Sequence, residues 1–271
     1  MTKPLPEKKK VDTLVPFCKQ ESVPRMMYAN FAYVYDRLMQ DIPYHQWVDY
    51  IFCLFERYYV KPERVLDLGC GTGNVSLPLA QRGLEVVAVD LSPDMLAVAD
   101  QKAYSQGLSV TFVRQDMRQL DLPGKFDVIL SMCDSLNYLT EASELALVFR
   151  RAADLLNPGG LFIFDLNSVY KLKQVFGDNT FTLLDDDVAY IWENHYDEKN
   201  RICHMDVTFF VQGEKGQYRR FAEYHAEKGY TLAEIEEMVQ GTGLEFLDAF
   251  AELTFQPPGP HTERVYYITR K

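Results

Sequence analysis

The residues with the clearest chemical purpose lie in VLDLGCGTGN, residues 65–74, where Asp67 precedes three alternating glycines, Gly69, Gly71 and Gly73. Glycines so spaced let a strand turn sharply into a helix and admit a ligand against backbone N–H groups at the helix start. A dinucleotide fingerprint beginning at Gly69 needs glycine at 74, which is Asn74; one beginning at Gly71 reaches Ser76. No Gly-Lys-Ser/Thr follows, so the turn is not a phosphate loop either. An acid at Asp67 suits a cationic amino group better than a pyrophosphate. Asp90 closes EVVAVD and stands where it could take two ribose hydroxyls. Asp116 closes SVTFVRQD, where it could accept from an adenine amino group with Met117 beside the ring. In order, the three acids describe a site for an adenosyl ligand. The competing reading of each is a cap on the next helix or turn.

Such a site requires strands whose carboxyl ends share one edge. Strand-like blocks RVLDLG (64–69), EVVAVD (85–90), SVTFVRQD (109–116), FDVILSMCD (126–134) and GLFIFDLN (160–167) alternate with helix-like NVSLPLAQR, SPDMLAVADQKA and TEASELALVFRRAADLL. This alternation predicts βαβ crossovers and a parallel sheet buried on both faces. Ser92 should cap the second helix, with Pro93 and Asp94 in its first turn. Upstream, Tyr28, Phe31, Ala32 and Tyr35 fall on one helical face, and Trp47, Ile51, Phe55 and Tyr58 on another whose helix starts near Pro43. After Asn167 the alternation stops for roughly 60 residues, longer than a connecting loop. VAYIWENHY, RICHMDVTFFV and YRRFAEYHAE predict antiparallel hairpins forming a small separate sheet over 168–227. A capping box, Thr231 with Glu234, restarts the main pattern. EFLDAFAE and RVYYITRK can then pair antiparallel.

Composition narrows the function. The chain has 271 residues, 47% hydrophobic and 25% charged, which suits a folded domain and excludes fibrous or disordered classes. With 39 Asp/Glu against 28 Lys/Arg the net charge is −11, which disfavours a phosphate backbone as partner. Residues 1–25 carry +3 of local charge and read as a tail without a catalytic role; no apolar stretch follows their lysines, so no secretory signal is read there. No run of about 18 apolar residues spans a membrane. Cys18, Cys53, Cys70, Cys133 and Cys203 are odd in number and scattered, which points to a reducing cytoplasm. No clustered His/Cys/carboxylate set suggests a metal. Oligomeric state is not legible.

LDLGCGTG, VVAVDLSPDML, VRQDMRQL, FDVILSMCDSLNYL and LNPGGLFIFDLN together resemble the class I S-adenosylmethionine-dependent methyltransferases, over about residues 60–168. The resemblance implies an α/β, Rossmann-like, seven-stranded, mostly parallel sheet with a reversed last strand, in agreement with the 245–252/264–271 pairing. It implies that Asp67 and Gly69, Cys70, Gly71 and Gly73 hold the methionine end of the cofactor. Asp90 with Leu91 would hold the ribose, Asp116 with Met117 the adenine, and Met132 and Cys133 would line the same pocket. More loosely, YANFAYVYDRLMQDIPYHQW and AEYHAEKGYTLAEIEEM look like the small-molecule N-methyltransferases acting on aminosugars or glycine-like amines. In those, an N-terminal helical segment covers the cofactor and an inserted antiparallel sheet roofs the acceptor. The implied organisation is a core of 26–167 and 228–271, with 168–227 as an acceptor lid.

Methyl transfer is an in-line displacement with a neutral thioether leaving group, so orientation, desolvation and electrostatics carry the catalysis. Tyr28 and Tyr35 could face the sulfonium through their rings, as the resemblance suggests, or simply pack their helix on the sheet. An amine acceptor must be neutral to attack, and the candidate bases are Asp134, Tyr138 and His225. Asp134 could instead cap a turn, and His225 could be structural. Tyr190, Trp192 and Tyr224 are candidate walls of the acceptor pocket or packing residues of the small sheet. The acidic run LDDD (184–187) reads as a solvated turn that could also attract a cation. The expected partner is a small-molecule acceptor. The alternatives are the same fold acting on RNA or protein, a cofactor-binding protein without turnover, and a nicotinamide oxidoreductase, the last disfavoured by Asn74.

Overall fold

The computed structural model describes residues 27–213 and 216–271, with side chains from Phe31 onward except that of residue 33. The expected tail, 1–25, lies outside the described residues. Two helices come first, α1 (Met27–Leu38) and α2 (Tyr44–Arg57); Pro43 caps α2 instead of opening its first turn. The alternating region follows as β1 (Arg64–Leu68), α3 (Ser76–Gln81), β2 (Glu85–Asp90), α4 (Pro93–Gln106), β3 (Val110–Arg114), β4 (Phe126–Ser131), α5 (Ala142–Leu155) and β5 (Leu156–Asn167). Ser92 caps α4 through Met95 N–H, with Pro93 opening the helix as its residue type predicts.

Beyond β5 come β6 (Thr180–Leu184), β7 (Val188–Asp197), β8 (Ile202–Gln212) and β9 (Tyr218–Lys228), which pair antiparallel in that order as a separate sheet. Sequence reading found three of these strands and missed β6, a short edge strand with little burial to mark it. The chain then returns through α6 (Leu232–Val239), whose Thr231–Glu234 capping box is complete, to β10 (Glu245–Ala251) and β11 (Arg264–Arg270).

The main sheet runs β10-β11-β5-β4-β1-β2-β3. Every neighbouring pair is parallel except those made by β11, which is antiparallel to both β5 and β10, so β11 alone is reversed. Alternate side chains fill two cores. One face of the sheet buries Leu66, Leu68, Val89, Phe162 and Phe164 against Phe149 of α5 and Ile235 of α6. The other buries Val65, Val86, Val128, Ile163 and Tyr266 against Val48, Ile51 and Leu54 of α2. Each fully buried Leu, Ile or Phe contributes about 1.5–3 kcal/mol, so both layers are fixed by large apolar area. The strand order reverses between β4 and β1. At such a switch point the connections leave on opposite faces and open a crevice outside the carboxyl ends of the strands. The four-stranded sheet hangs over that edge. Among the described residues, no helix is long and apolar enough to cross a membrane.

Candidate active site

At the switch point the glycine turn takes the conformation its composition demands. Gly69, Gly71 and Gly73 have φ of +73°, +54° and +80°, a region costly for residues with a Cβ. A Cβ on Gly69 would collide with Ser135, while one on Gly71 would project into open space. The backbone amides of the turn are held within the protein, by Val89 O for Gly69 and Cys70 and by Cys70 O for Gly73, so the open space at Gly71 is where a ligand can approach the chain. Asp90, at the end of β2, accepts the Gly71 N–H at 2.8 Å through Oδ2 and the Ser92 N–H at 2.8 Å through Oδ1. Burial raises its carboxyl above the ordinary range, and these two amide bonds oppose the shift. Leu91 beside it is 60% exposed, an apolar side chain left facing outward next to Asp90.

The other predicted cofactor residues have protein partners of their own. Asp67 is 1% exposed and accepts the Ser76 hydroxyl at 2.5 Å, so it braces the turn from behind; burial pushes its carboxyl up to about 6. Asp116 is indeed a cap, accepting Arg118 N–H, and both of its oxygens are held by the Arg118 guanidinium, which also pairs with Glu144. Met117 reaches across to the Gly69 backbone. Met132 does not line the cleft: its side chain is 2% exposed in the α2 core, because alternation along β4 turns it inward. Cys70 is buried, and desolvation lifts its thiol well above the ordinary value. Cys133 is likewise raised, to about 12, so it is a neutral thiol. The Tyr35 hydroxyl stands 3.9 Å from Cys133 Sγ, which places α1 over the end of β4. Tyr28 lies on α1, with its side chain outside the described residues.

The turn after β4 is strained. Cys133 and Asp134 have φ of +62° and +53°, two successive non-glycine residues in the left-handed region. Each such residue costs on the order of 1–3 kcal/mol, and surrounding contacts must hold it. They come from Arg264, the first residue of β11, which bonds Asp134 Oδ1 at 2.6 Å and also Asp165 on β5. Burial pushes Asp165 up to about 6 against the pull of Arg264. Asp134 is therefore an anchored acid: one oxygen belongs to Arg264, which weakens its claim as a free general base.

Tyr138 and His225 do come together. The Tyr138 hydroxyl lies 3.2 Å from His225 Nδ1, bridging the turn after β4 and the inner face of β9. Phe31 of α1 packs on the same imidazole, with ring centroids 6.0 Å apart. Tyr224 does not belong here. Strand alternation sends it to the opposite face from His225, where it is 60% exposed and meets His204 Nδ1 at 2.6 Å. Tyr190 and Trp192 share the inner face, but Trp192 packs chiefly on Phe176 and Phe181. The acidic run is not free either: Asp185 and Asp187 hold Arg37 of α1.

Several site residues escaped the sequence reading. Glu227, 4% exposed, accepts from Asn167 Nδ2 at 2.8 Å, and burial carries its carboxyl well above the usual range. Asn137 ties the two sheets by donating to the carbonyls of Asn167 and Lys228. Asp36 of α1 accepts from Thr72 Oγ1 (2.5 Å), Asn74 Nδ2 (3.0 Å) and Lys102 Nζ (2.7 Å), latching the covering helix to the glycine turn. Asp36→Ala should weaken S-adenosylhomocysteine binding about tenfold, the equivalent of one or two of these bonds. Calorimetric titration measures that loss. Hydrogen exchange over 27–38 should accelerate, while the melting temperature moves little.

A family model described as a methyltransferase domain matches residues 65–160. A protein of Geobacillus sp. (strain WCH70), whose name states methyltransferase and no substrate, is 37% identical over 247 residues, 91% of this chain and all of the relative. The crystal structure of an S-adenosylmethionine-dependent methyltransferase from Clostridium acetobutylicum ATCC 824 superposes with a TM-score of 0.82 at 37% identity, covering 90% of this chain and 98% of that one. The cypemycin N-terminal methyltransferase of Streptomyces sp is 31% identical over 185 residues, 67% of this chain and 72% of its own. The chain belongs to the S-adenosylmethionine-dependent methyltransferases. Its cofactor is S-adenosylmethionine, and the open, glycine-lined turn beside Asp90 fits that group.

Proposed function

We propose that this methyltransferase acts on a small molecule at an amine nitrogen, under the four-stranded sheet as an acceptor lid. Bound S-adenosylmethionine supplies an electrophilic methyl on a sulfonium, with a neutral thioether as leaving group. On this reading Asp90 holds the ribose, the backbone of Gly69 to Gly73 the methionine end, and Met117 with the Asp116 turn the adenine. Tyr35 and Phe31 of α1 exclude water from above. The observation that carries the amine reading is the Tyr138–His225 contact. An alcohol or an ammonium must lose a proton to become a nucleophile, and the ammonium does so at far lower cost. Desolvation holds the His225 imidazole below its ordinary pKa, with the nearby Asp134 opposing, so the ring is neutral at neutral pH and can receive that proton. A family relative named for an N-terminal substrate also favours nitrogen and supports a second reading, a short peptide amine. The described cysteines, Cys53, Cys70, Cys133 and Cys203, are free thiols, which accords with the cytoplasm.

Mass analysis of products from matched amines, alcohols and a short peptide, each with S-adenosylmethionine, tests this reading. Methylated amines are expected, and products from the alcohols alone would contradict it. His225→Ala should lower kcat on the amine by roughly 100-fold, within the usual range for a general base. The sign with pH follows from the neutral ring being the active form. Activity persists above the folded-state pKa of His225, which lies below about 6.5, and falls as acid protonates it. A kcat–pH profile whose acid limb is unchanged in His225→Ala would assign the limb elsewhere.

A further inference from the structure

The inner face of the four-stranded sheet carries polar atoms that the fold leaves without partners. Across β7, β8 and β9, Trp192 pairs with Val207 and Val207 with Glu223; the next row is Asn194, Met205 and His225. Glu223 is 6% exposed, and its Oε1 has no hydrogen-bond partner among the described residues. Trp192 Nε1 and Asn194 Oδ1, buried in the same two rows, also have none. Val207, the cross-strand partner of Glu223, clusters with Phe209 and Phe221 beneath Phe31, Val34 and Leu38 of α1. A buried carboxylate oxygen without a donor is costly, and native chains rarely leave one unless something else completes it. Its neighbour on the strand, Glu227, shows the contrast, being satisfied by Asn167. Burial alone raises the Glu223 carboxyl, with no nearby charge contributing. A ligand cation at this place would reverse that penalty.

We propose that Glu223 binds a second, cationic group of the methyl acceptor, so that the acceptor is a small diamine. The proposal rests on the amine reading above and adds to it the acceptor's other end. Glu223 and His225 are two residues apart on one face of β9, about 7 Å along the strand. One amine therefore stands at His225 and Tyr138 for methylation, while the other, as an ammonium, sits against Glu223 Oε1. A five-carbon α,ω-diamine has this reach. An ammonium fits better than a hydroxyl, because a charge-assisted bond is roughly twice as strong as a neutral one. The protein's net charge of −11 also draws cations towards it.

The test titrates 1,5-diaminopentane and pentylamine into the full-length protein saturated with S-adenosylhomocysteine, for the wild type, Glu223→Gln and Glu223→Met. In the wild type the diamine should bind at least about tenfold more tightly than the monoamine. In both variants that ratio should collapse towards one. The ligand-free variants should melt a few degrees higher than the wild type, since an unpartnered buried carboxylate is removed; a merely structural glutamate would give the opposite sign. Equal wild-type affinities, or a preference that survives in both variants, would overturn the proposal and leave the amine reading standing. Binding of neither amine would overturn both.

Discussion

Asp90→Ala is expected to weaken S-adenosylhomocysteine binding by about 100- to 10,000-fold. Two charge-assisted hydrogen bonds to a ribose diol are worth about 1.5–3 kcal/mol each, and each 1.4 kcal/mol is tenfold. The residue acts twice, because without ligand it also accepts the Gly71 and Ser92 amides and so shapes the turn it borders. Two further variants separate these roles. Asp90→Asn keeps an acceptor for one amide and loses the charge, so it should recover part of the turn but little of the affinity. Asp90→Glu keeps the carboxylate on a longer stem and should fall between wild type and alanine. Calorimetric titration gives the affinities, and melting temperature without ligand reports the turn. An affinity within about threefold of wild type in Asp90→Ala would remove Asp90 from the cofactor site.

The largest stability effect is expected at Arg264. Its guanidinium lies on the ring of Trp47 and holds both Asp134 and Asp165 in a site where it is itself 7% exposed. Arg264→Met leaves two acids facing each other without a cation. Breaking a buried pair by removing one partner costs about 3–5 kcal/mol. At this chain length that is a fall in melting temperature of roughly 6–20 °C. Much of the loss should return in Arg264→Met with Asp165→Asn, because the penalty is an uncompensated charge. The strained Cys133–Asp134 turn should relax as well, so activity should stay low in the rescued double variant. A single variant that melts within about 2 °C of wild type would mean that the cluster contributes little.

The glycine turn, the strand ends, the Ser92 cap and the Thr231–Glu234 capping box were legible because each is local: a residue type, a φ requirement or a period shows it within ten residues. Burial on both faces of β1 and β2 likewise follows from their apolar runs. Other parts depended on tertiary placement. Arg264 follows a Pro/Gly connector and resembles a surface residue, yet the reversal of β11 sets its first residue, opposite Asn167, at the edge where the parallel strands end. The anticipated antiparallel pairing already contained that placement. On β9 a period of two separates residues 221, 223, 225 and 227 from 220, 222, 224 and 226. Choosing Tyr224 and His225 together took one from each face, and respecting the alternation would have pointed to Glu223 and Glu227. Asp36 offered only a single acid among the apolar positions of α1, and its partners lie 36 to 66 residues away.

The most direct measurement is a thermal-shift comparison of S-adenosylhomocysteine, S-adenosylmethionine and NAD at equal concentration. At about 100 times its dissociation constant a ligand stabilises the folded state by roughly 2.7 kcal/mol, which raises the midpoint by roughly 5–10 °C here. Both adenosyl ligands should produce that shift, and NAD should not, because Asn74 interrupts the dinucleotide pattern. A shift with NAD alone, or none with either adenosyl ligand, would contradict a cofactor site built on Asp90 and the Gly69–Gly73 turn.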